Sequence, residues 1–152
     1  MTAAAAGVGV YVHLPEGEVS VDGDAVRLGQ ACDNLVSNAV KFTPAGGRVD
    51  LTLRTGWRTA DGEVTAEPRP GASAVAELAV TDTGMGIPAA EQDRLFTRFF
   101  RSSTAQRNAV PGVGLGLSIT KAITTAHGGT LGMHSIEGRG TTFTLTLPLP
   151  TV

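Results

Sequence analysis

Three short segments of this chain carry residue types and spacings that could bind a phosphorylated ligand. In the first, Asp24 to Phe42, apolar residues recur with helical periodicity, and Gln30, Asn34, Asn38 and Lys41 share one narrow stripe. Mg²⁺ accepts amide oxygens beside waters and phosphate oxygens, and a lysine can meet a phosphate. The stripe is therefore a candidate metal and phosphate site, with a solvated helix face as the alternative.

The second segment places one carboxylate at the end of a predicted strand. Asp82 is followed by Gly84 and Gly86 in the run VTDTGMGIP. Aspartate before glycine is common in turns, so a turn former is one interpretation. The other is that a carboxylate in an apolar pocket accepts the exocyclic amine of adenine, while the glycines let the ring approach the backbone.

The third segment, PGVGLGLSI, has glycine at every second position before a predicted helix. Gly112, Gly114 and Gly116 spare the backbone a Cβ near a ligand, and the helix directs its first N–H groups at an anion. Neither the P-loop spacing nor the dinucleotide fingerprint is present. The segment therefore predicts a phosphate cradle of another kind.

Strands and helices must bring these segments together. Alternating strand segments outnumber helices without strict β-α-β order, which predicts an α+β fold of two layers, a mixed, mostly antiparallel sheet with helices on one face. Residues 56–74 read as a long loose connection, and residues 102–111 are expected to be poorly ordered without a ligand. The predicted strands are 8–14, 48–54, 75–82, 130–136 and 141–147, and the predicted helices are 24–42, 89–96 and 115–127.

Composition limits the classes of function. The 152 residues are 41% hydrophobic, enough for one domain over residues 1–152. A net charge of −2 provides no broad basic surface for nucleic acid or an anionic membrane. The lone Cys32 cannot form an internal disulfide and is expected to be a small core residue, which fits a reducing compartment. The apolar N-terminus is too short for a membrane span, so a cytoplasmic location is expected.

The order of these motifs, with LFTRFFR between the second and the third, resembles the ATP-binding catalytic domain of sensor histidine kinases. That domain belongs to the superfamily that includes gyrase B, Hsp90 and MutL. The resemblance runs from about Val8 to Pro148, and four ordered motifs make it specific. It implies a Bergerat-type ATP-binding fold with about three helices on one face of the sheet, and ATP and Mg²⁺ as cofactors.

The resemblance also implies roles for individual residues. Asn34, Asn38 and Lys41 would be the catalytic set, with Asn38 as the Mg²⁺ ligand and Lys41 near the phosphates. Asp82 would read adenine, supported by Thr141. Arg101, in an ATP lid at about residues 100–112, and Arg107 could reach the phosphates or be exposed loop charges. The remaining nucleotide-binding positions would be Gly84, Gly86, Ile87, Phe96, Phe99, Gly112, Gly114, Leu115, Gly116 and Leu117.

The reaction implied is transfer of the ATP γ-phosphoryl group to a histidine. Gyrase-like relatives carry a glutamate at the position of Asn34, and an amide cannot act as a general base, so weak hydrolysis is expected. His13, His127 and His134 are not followed by an acid and are interpreted as structural. The acceptor would then lie on a dimerisation domain, in the same full-length protein or in a separate chain.

A response regulator would act downstream, and no direct membrane contact is expected from this domain, although the parent kinase could be membrane-anchored. Two alternatives remain open. One is a stand-alone serine kinase of the anti-sigma type, which the GLGLSI run and the F box, the motif that Phe96 and Phe99 resemble, argue against. The other is a nucleotide-gated binding module without catalysis, which the presence of Asn38, Lys41 and Asp82 argues against.

Overall fold

The structure is a computed structural model that describes residues 7–94 and 116–150. In chain order its elements are β1 (Gly9–His13), α1 (Ala25–Phe42), β2 (Arg48–Arg58), β3 (Val64–Thr65), β4 (Ser73–Asp82), a 3₁₀ helix (Ala89–Arg94), α2 (Gly116–Ala126), β5 (Thr130–Ile136) and β6 (Gly140–Pro148). Within these ranges no helix is long and apolar enough to cross a membrane.

The described strands form one sheet. Its order is β1-β2-β4-β6-β5, and the short β3 pairs with the far end of β2. β1 runs parallel to β2, and every other pairing is antiparallel. The mixed, mostly antiparallel sheet predicted from the sequence is confirmed.

One face of the sheet carries α1 and α2. Because side chains alternate along a strand, every second residue of β2, β4 and β6 points at the helices. These positions are apolar along most of each strand, and they form the core together with one side of each helix. Its fully buried or nearly buried members include Ala31, Leu35, Val49, Val80, Ile123, Phe143 and Leu145.

Helix α1 begins and ends where the sequence indicates. The Asp24 carboxylate caps it by accepting the backbone N–H groups of Val26 and Arg27, so the prediction of a cap at Asp22 or Asp24 resolves to Asp24. At the other end Thr43 is already extended, as residues before proline usually are. The buried Thr43 hydroxyl donates to the carbonyl of Ala39, which fixes the last turn.

The two helices lie antiparallel, held by contacts between side chains and backbone. His127, just after α2, donates from Nδ1 to the carbonyl of Ile123 at 2.8 Å. Its Nε2 accepts the backbone N–H of Asp24, at the start of α1, at 3.0 Å. The C-terminal end of α2 is therefore beside the N-terminal end of α1, which brings the opposite ends of the two helices together as well.

One prediction about local structure was wrong, and a second is refined by the structure. Residues 56–74 are not one loose connection, because β2 continues to Arg58, Val64 and Thr65 pair with it, and β4 begins at Ser73. The sequence hid this because Gly56 interrupts the alternation, and there the glycine lets the Thr65 backbone approach closely. The helix expected at residues 89–96 is a 3₁₀ helix over Ala89–Arg94, and residues 95 and 96 lie outside the described ranges.

Candidate nucleotide-binding site

A buried carboxylate stands at the end of β4. Asp82 is opposite Thr141 of β6, which in turn is opposite Ser135 of β5, so the three form one polar row across the helix-facing side of the sheet. Asp82 Oδ1 accepts the backbone N–H of Gly84 at 2.8 Å and that of Thr141 at 3.2 Å. Both hydrogen bonds end on Oδ1, so they hold the carboxyl group in one orientation, and neither of them uses its Oδ2.

Burial also changes the acidity of this group. Asp82 is only 5% exposed. Desolvation raises the pKa of the Asp82 carboxyl to about 6, although the N–H groups of Gly84 and Thr141 act in the opposite direction. Perturbed acids of this kind cluster at functional sites.

The glycines after Asp82 are required by the protein's own backbone. A Cβ on Gly84 would clash with the carbonyl oxygen of Phe42, the last residue of α1. Gly86, with φ +69°, would place a Cβ against the carbonyl of Ile136. The sequence suggested that these glycines admit a purine ring, whereas the contacts in the structure explain them by close packing of the loop against α1 and β5.

Two polar residues of the site were missed at the sequence level. Ser135 Oγ accepts the backbone N–H of Ile87 at 2.8 Å and lies 2.8 Å from the Thr141 hydroxyl. Gln92 Nε2 donates to the carbonyls of Ile87 at 3.0 Å and Ser135 at 3.2 Å. A signal for Ser135 was available, because it is the polar member of an otherwise apolar alternation with Leu131 and Met133.

Asn38 is buried and incompletely paired. It is 4% exposed, and its Nδ2 has no hydrogen-bond partner within residues 7–94 and 116–150. Buried amide groups are nearly always paired, so an orphan of this kind needs an explanation. A ligand on this face of α1 would supply one, since the two amide atoms can exchange places to offer either a donor or an oxygen.

Asn38 lies close to the Asp82 loop. Phe42 is one helical turn beyond Asn38, and its carbonyl accepts the backbone N–H of Met85 at 3.2 Å. The amide of α1 and the carboxylate of β4 are therefore at the same end of the molecule. Lys41, in the last turn of α1, is exposed at this end.

The start of α2 reaches the same end. Asn34 Nδ2 donates to the buried hydroxyl of Thr120 at 3.4 Å, where α1 and α2 touch. Because the helices are antiparallel, one turn onward from this contact places Asn38 of α1 level with Gly116, the first residue of α2. The N-terminal end of α2, with its partial positive charge, thus faces the region around Asn38.

The remaining predicted positions divide into two groups. Ile87 and Leu117 are buried apolar residues, each 5% exposed, and belong to the core. The placement of the other positions stays a prediction, because they lie outside the described residues together with the whole of the predicted lid: Phe96, Phe99, Arg101, Arg107, Gly112, Gly114 and Leu115. Within the described ranges, 7–94 and 116–150, no group of three or more His, Cys, Asp or Glu residues could hold a metal ion.

The described histidines have structural surroundings. His13 Nε2 lies 2.9 Å from Asp50 Oδ1 on the outer face of the sheet, and His127 joins the two helices. His134 is exposed on β5. The contacts of His13 and His127 agree with the interpretation that these two are structural, and for His134 it stays a prediction.

Comparison with known proteins places the chain in a family. The sequence model of histidine kinase-, DNA gyrase B- and HSP90-like ATPases matches residues 23–151. The sensor histidine kinase WalK of Bacillus subtilis is 37% identical over 136 residues, which are 90% of this chain and 20% of WalK. The chain thus spans about a fifth of that relative.

Solved structures agree with the sequence comparison. The mycobacterial sensor histidine kinase MprB superimposes with a TM-score of 0.73 at 35% identity, covering 95% of this chain and 86% of that one. Full-length ShkA in complex with AMPPNP gives 0.72 at 28% identity, covering 99% of this chain and 27% of ShkA. The chain belongs to the family of histidine kinase-, DNA gyrase B- and HSP90-like ATPases, and it is the ATP-binding catalytic domain characteristic of sensor histidine kinases.

Proposed function

We propose that the domain binds Mg-ATP at the end of the molecule where Asp82, Asn38 and Gly116 meet, and transfers the γ-phosphoryl group to a histidine of a dimerisation domain. The observation that carries this proposal is the presence, at one end of the fold, of a fixed, buried carboxylate and of a buried amide nitrogen that has no partner among the described residues. Such polar groups are costly without a ligand, and together they match the two ends of an adenine nucleotide.

Asp82 would bind the adenine base. Its Oδ1 is held by two backbone N–H groups, so Oδ2 can accept the exocyclic amine without reorganisation. The Ser135 and Thr141 hydroxyls, 2.8 Å apart, provide further polar atoms beside the carboxylate. A site already bonded to its own scaffold loses little entropy when the base arrives.

The phosphates would lie between the two helices. Gly116 begins α2, whose first N–H groups and dipole favour negative charge, and Lys41 supplies a mobile ammonium group from α1. Asn38 fits a role as Mg²⁺ ligand, because its buried Nδ2 has no partner among the described residues, and exchange of the two amide atoms would put an oxygen at that unpaired position. When bound, Mg²⁺ neutralises charge on the phosphate oxygens.

Asn34 is better assigned to positioning than to proton transfer. An amide is not a general base, and its Nδ2 is engaged with Thr120 of α2. Without a base to activate water, the domain should hydrolyse ATP slowly. A neutral imidazole needs little activation, so positioning the nucleotide provides most of the catalysis of transfer.

The proposed partners follow from this chemistry. The acceptor histidine would be carried by a dimerisation domain of the same full-length protein or of another chain, and a response regulator would receive the phosphoryl group next. The domain would work on the cytoplasmic side, where ATP is supplied.

To test the proposal, the domain is incubated with labelled ATP and a separate two-helix hairpin that carries a histidine. We expect the hairpin to gain phosphate that is stable to alkali and labile to acid, in a reaction that requires Mg²⁺. Acid-stable label on serine would instead favour the serine kinase alternative. Absence of label on the hairpin, together with normal ATP binding, would contradict phosphoryl transfer.

Two variants examine the site itself. Asn38→Asp introduces a charge at the proposed metal ligand, so we expect the Mg²⁺ dependence of ATP binding to change and transfer to fall by at least tenfold. Ser37→Asp places the same side chain one residue earlier, at an exposed position of α1, and should leave both unchanged. Isothermal titration with and without Mg²⁺ measures the difference, and equal effects of the two variants would contradict the assignment.

A further inference from the structure

A second concave region lies at the other end of the sheet, away from Asp82. A partly open cavity of about 300 Å³ lies between the N-terminal half of α1 and the helix-facing side of the sheet. Leu28 and Cys32 of α1 form its roof, and Leu53, Leu78 and Leu145 lie among the residues of its floor. Every described residue that lines it is valine, leucine, alanine or the single cysteine.

This cavity is separate from the candidate nucleotide site. The fully buried Val80 and Leu35 and the nearly buried Phe143 fill the layer between them. Asp82 is four positions beyond Leu78 in β4, a distance of about 13 Å along an extended strand. A molecule in the cavity would therefore not touch the polar row.

The fold explains why the space does not close. Helix α1 is fixed at its start by the hydrogen bond from Asp24 N–H to His127 and at its end by that from Met85 N–H to the Phe42 carbonyl. The strands below are fixed by their ladders of backbone hydrogen bonds. With both walls fixed, small side chains such as Cys32 and Ala76 leave a gap that the helix cannot fill by settling onto the sheet.

The cavity is reached from one side. Val12 is 59% exposed and Leu14 is 71% exposed, and both are at its rim near the end of β1. Exposed leucine and valine side chains beside an internal apolar space provide an apolar path from solvent into it. The neighbouring β1 residue Tyr11 is on the other face of the sheet and does not line it.

The lining determines which ligand fits. Water needs two or more polar partners, and the lining offers none, so the space favours apolar contents. An ion would lose its hydration without a compensating partner. An engineered apolar cavity of about 150 Å³ accepts benzene, so this one is large enough for about two fused aromatic rings or an alkyl chain of similar volume.

We propose that this cavity is a binding site for a small uncharged apolar molecule of about two rings, independent of the nucleotide site. The matched probes are naphthalene and 2-naphthoate, which share their rings but differ by one carboxylate. With the full chain, methyl NMR should show saturable shifts of leucines 53, 78 and 145 with naphthalene. 2-Naphthoate should cause none of these shifts.

Variants at two alanines of β4 test the location. Ala76→Leu fills the cavity and should weaken naphthalene binding by at least tenfold, with ATP affinity unchanged within twofold. Ala79→Leu adds the same side chain to the opposite face of the same strand and should leave naphthalene binding intact. Equal naphthalene affinity in the two variants, or no saturable binding to the wild type, would overturn the proposal.

A measurement on the unmodified chain covers the case in which Ala76→Leu does not fold. Cys32 lines the cavity, so saturating naphthalene should slow modification of its thiol by methyl methanethiosulfonate at least fivefold. An unchanged rate would overturn the proposal. Complete protection of Cys32 before any probe is added, without naphthalene binding, would also overturn it, because it would indicate that a protein segment already fills the space.

Discussion

The two ends of the helix-facing side of the sheet use the same strands and the same register but are built differently. At one end Asp82, Thr141 and Ser135 form a polar row, in which Asp82 Oδ1 accepts the Thr141 backbone N–H and the Thr141 and Ser135 hydroxyls are hydrogen-bonded to each other. At the other end, Leu78 and Leu145 are paired in the same ladder and border an open apolar space.

The difference shows how polar and apolar residues specify a structure. A buried carboxylate is tolerated only when donors stand at particular places, so the polar end allows one arrangement of its backbone. Apolar contacts have no direction, so the other end is adequately stabilised without complete filling. On the proposals above, the polar end would bind one ligand with a defined pattern of donors, while the apolar end would select by size and by the absence of charge.

The largest effect is expected from a change that disturbs the backbone at the polar end, because only this end should require one backbone arrangement. Gly140 has φ +135°, and a Cβ there would clash with the carbonyl oxygen of Asp82. We expect Gly140→Ala to lower the free energy of unfolding by about 3 kcal/mol, from backbone strain and overpacking together. Urea denaturation followed by circular dichroism measures the change.

Two other glycines of the same hairpin separate the causes. Gly138 also has a positive φ, +83°, but nothing lies within 4 Å of its added Cβ, so Gly138→Ala tests the strain alone and should cost about 1 kcal/mol. Gly132 has open space and ordinary φ, so Gly132→Ala should be neutral or slightly stabilising. If all three variants had equal stability, the close approach of Gly140 to Asp82 would be unimportant.

Replacing the Asp82 carboxylate tests whether ligand binding at the polar end depends on this one group. In Asp82→Asn the amide oxygen can still accept the N–H groups of Gly84 and Thr141, but its NH₂ group would then face the amine of adenine. We expect ATP affinity to fall by about tenfold to a hundredfold, the usual value of a hydrogen bond to a charged group. Asp50→Asn, on the outer face beside Arg48, is the control and should leave affinity unchanged.

The same carboxylate makes nucleotide binding depend on pH. Because burial raises the pKa of Asp82 to about 6, roughly nine tenths of the unliganded domain is protonated there at pH 5. We expect the ATP affinity of the wild type to be about tenfold lower at pH 5 than at pH 7, after correction for the change that Asp82→Asn shows over the same pH range. Isothermal titration across this range measures it.

Folding responds to the same protonation with the opposite sign. The folded carboxyl binds its proton more tightly than the unfolded one, so its contribution to stability is fully present below about pH 4 and is lost as pH rises through 6. Protonation of Asp82 in acid should therefore raise the free energy of unfolding of the unliganded domain while it weakens nucleotide binding. Parallel pH profiles of stability for wild type and Asp82→Asn would contradict the raised pKa.

Most of the fold could be predicted from sequence patterns. The alternation of apolar and polar residues at 48–54, 75–82 and 141–147 located the three central strands, because each strand buries one face and exposes the other to solvent. The 3.6-residue period and the Asp24 cap located α1 to within one residue. The continuation of β2 past Gly56 was not visible, because a glycine chosen for close approach of Thr65 looks the same in sequence as a glycine in a loop.

The site was only partly predictable for a similar reason. Asp82 and Asn38 are unusual for their surroundings, and a sequence shows that directly. Ser135 gains its importance from the backbone N–H of Ile87, 48 residues away, and Gln92 from the carbonyl of Ser135, 43 residues away, and only the fold brings these pairs together. Likewise the cavity depends on how far α1 stands from the sheet, which no local pattern encodes.

The smallest expected effect concerns the middle of the helix pair, between the two contrasting ends. Asn34 Nδ2 donates to the hydroxyl of Thr120, which is fully buried between α1 and α2. Thr120→Val keeps the shape and removes the hydroxyl, so we expect a loss of about 1 kcal/mol in the free energy of unfolding. A double-mutant cycle with Asn34→Ala should give a coupling energy of roughly 0.5–1 kcal/mol.

Thr124 supplies the matched control for this cycle. It is equally buried and on the same helix, but its hydroxyl donates to the carbonyl of Thr120 within α2. Coupling between Asn34→Ala and Thr124→Val should therefore be close to zero. A coupling at Thr124 as large as that at Thr120 would mean that the helices respond to any loss of buried hydroxyl, and the Asn34 contact would then not be what aligns Asn38 with the start of α2.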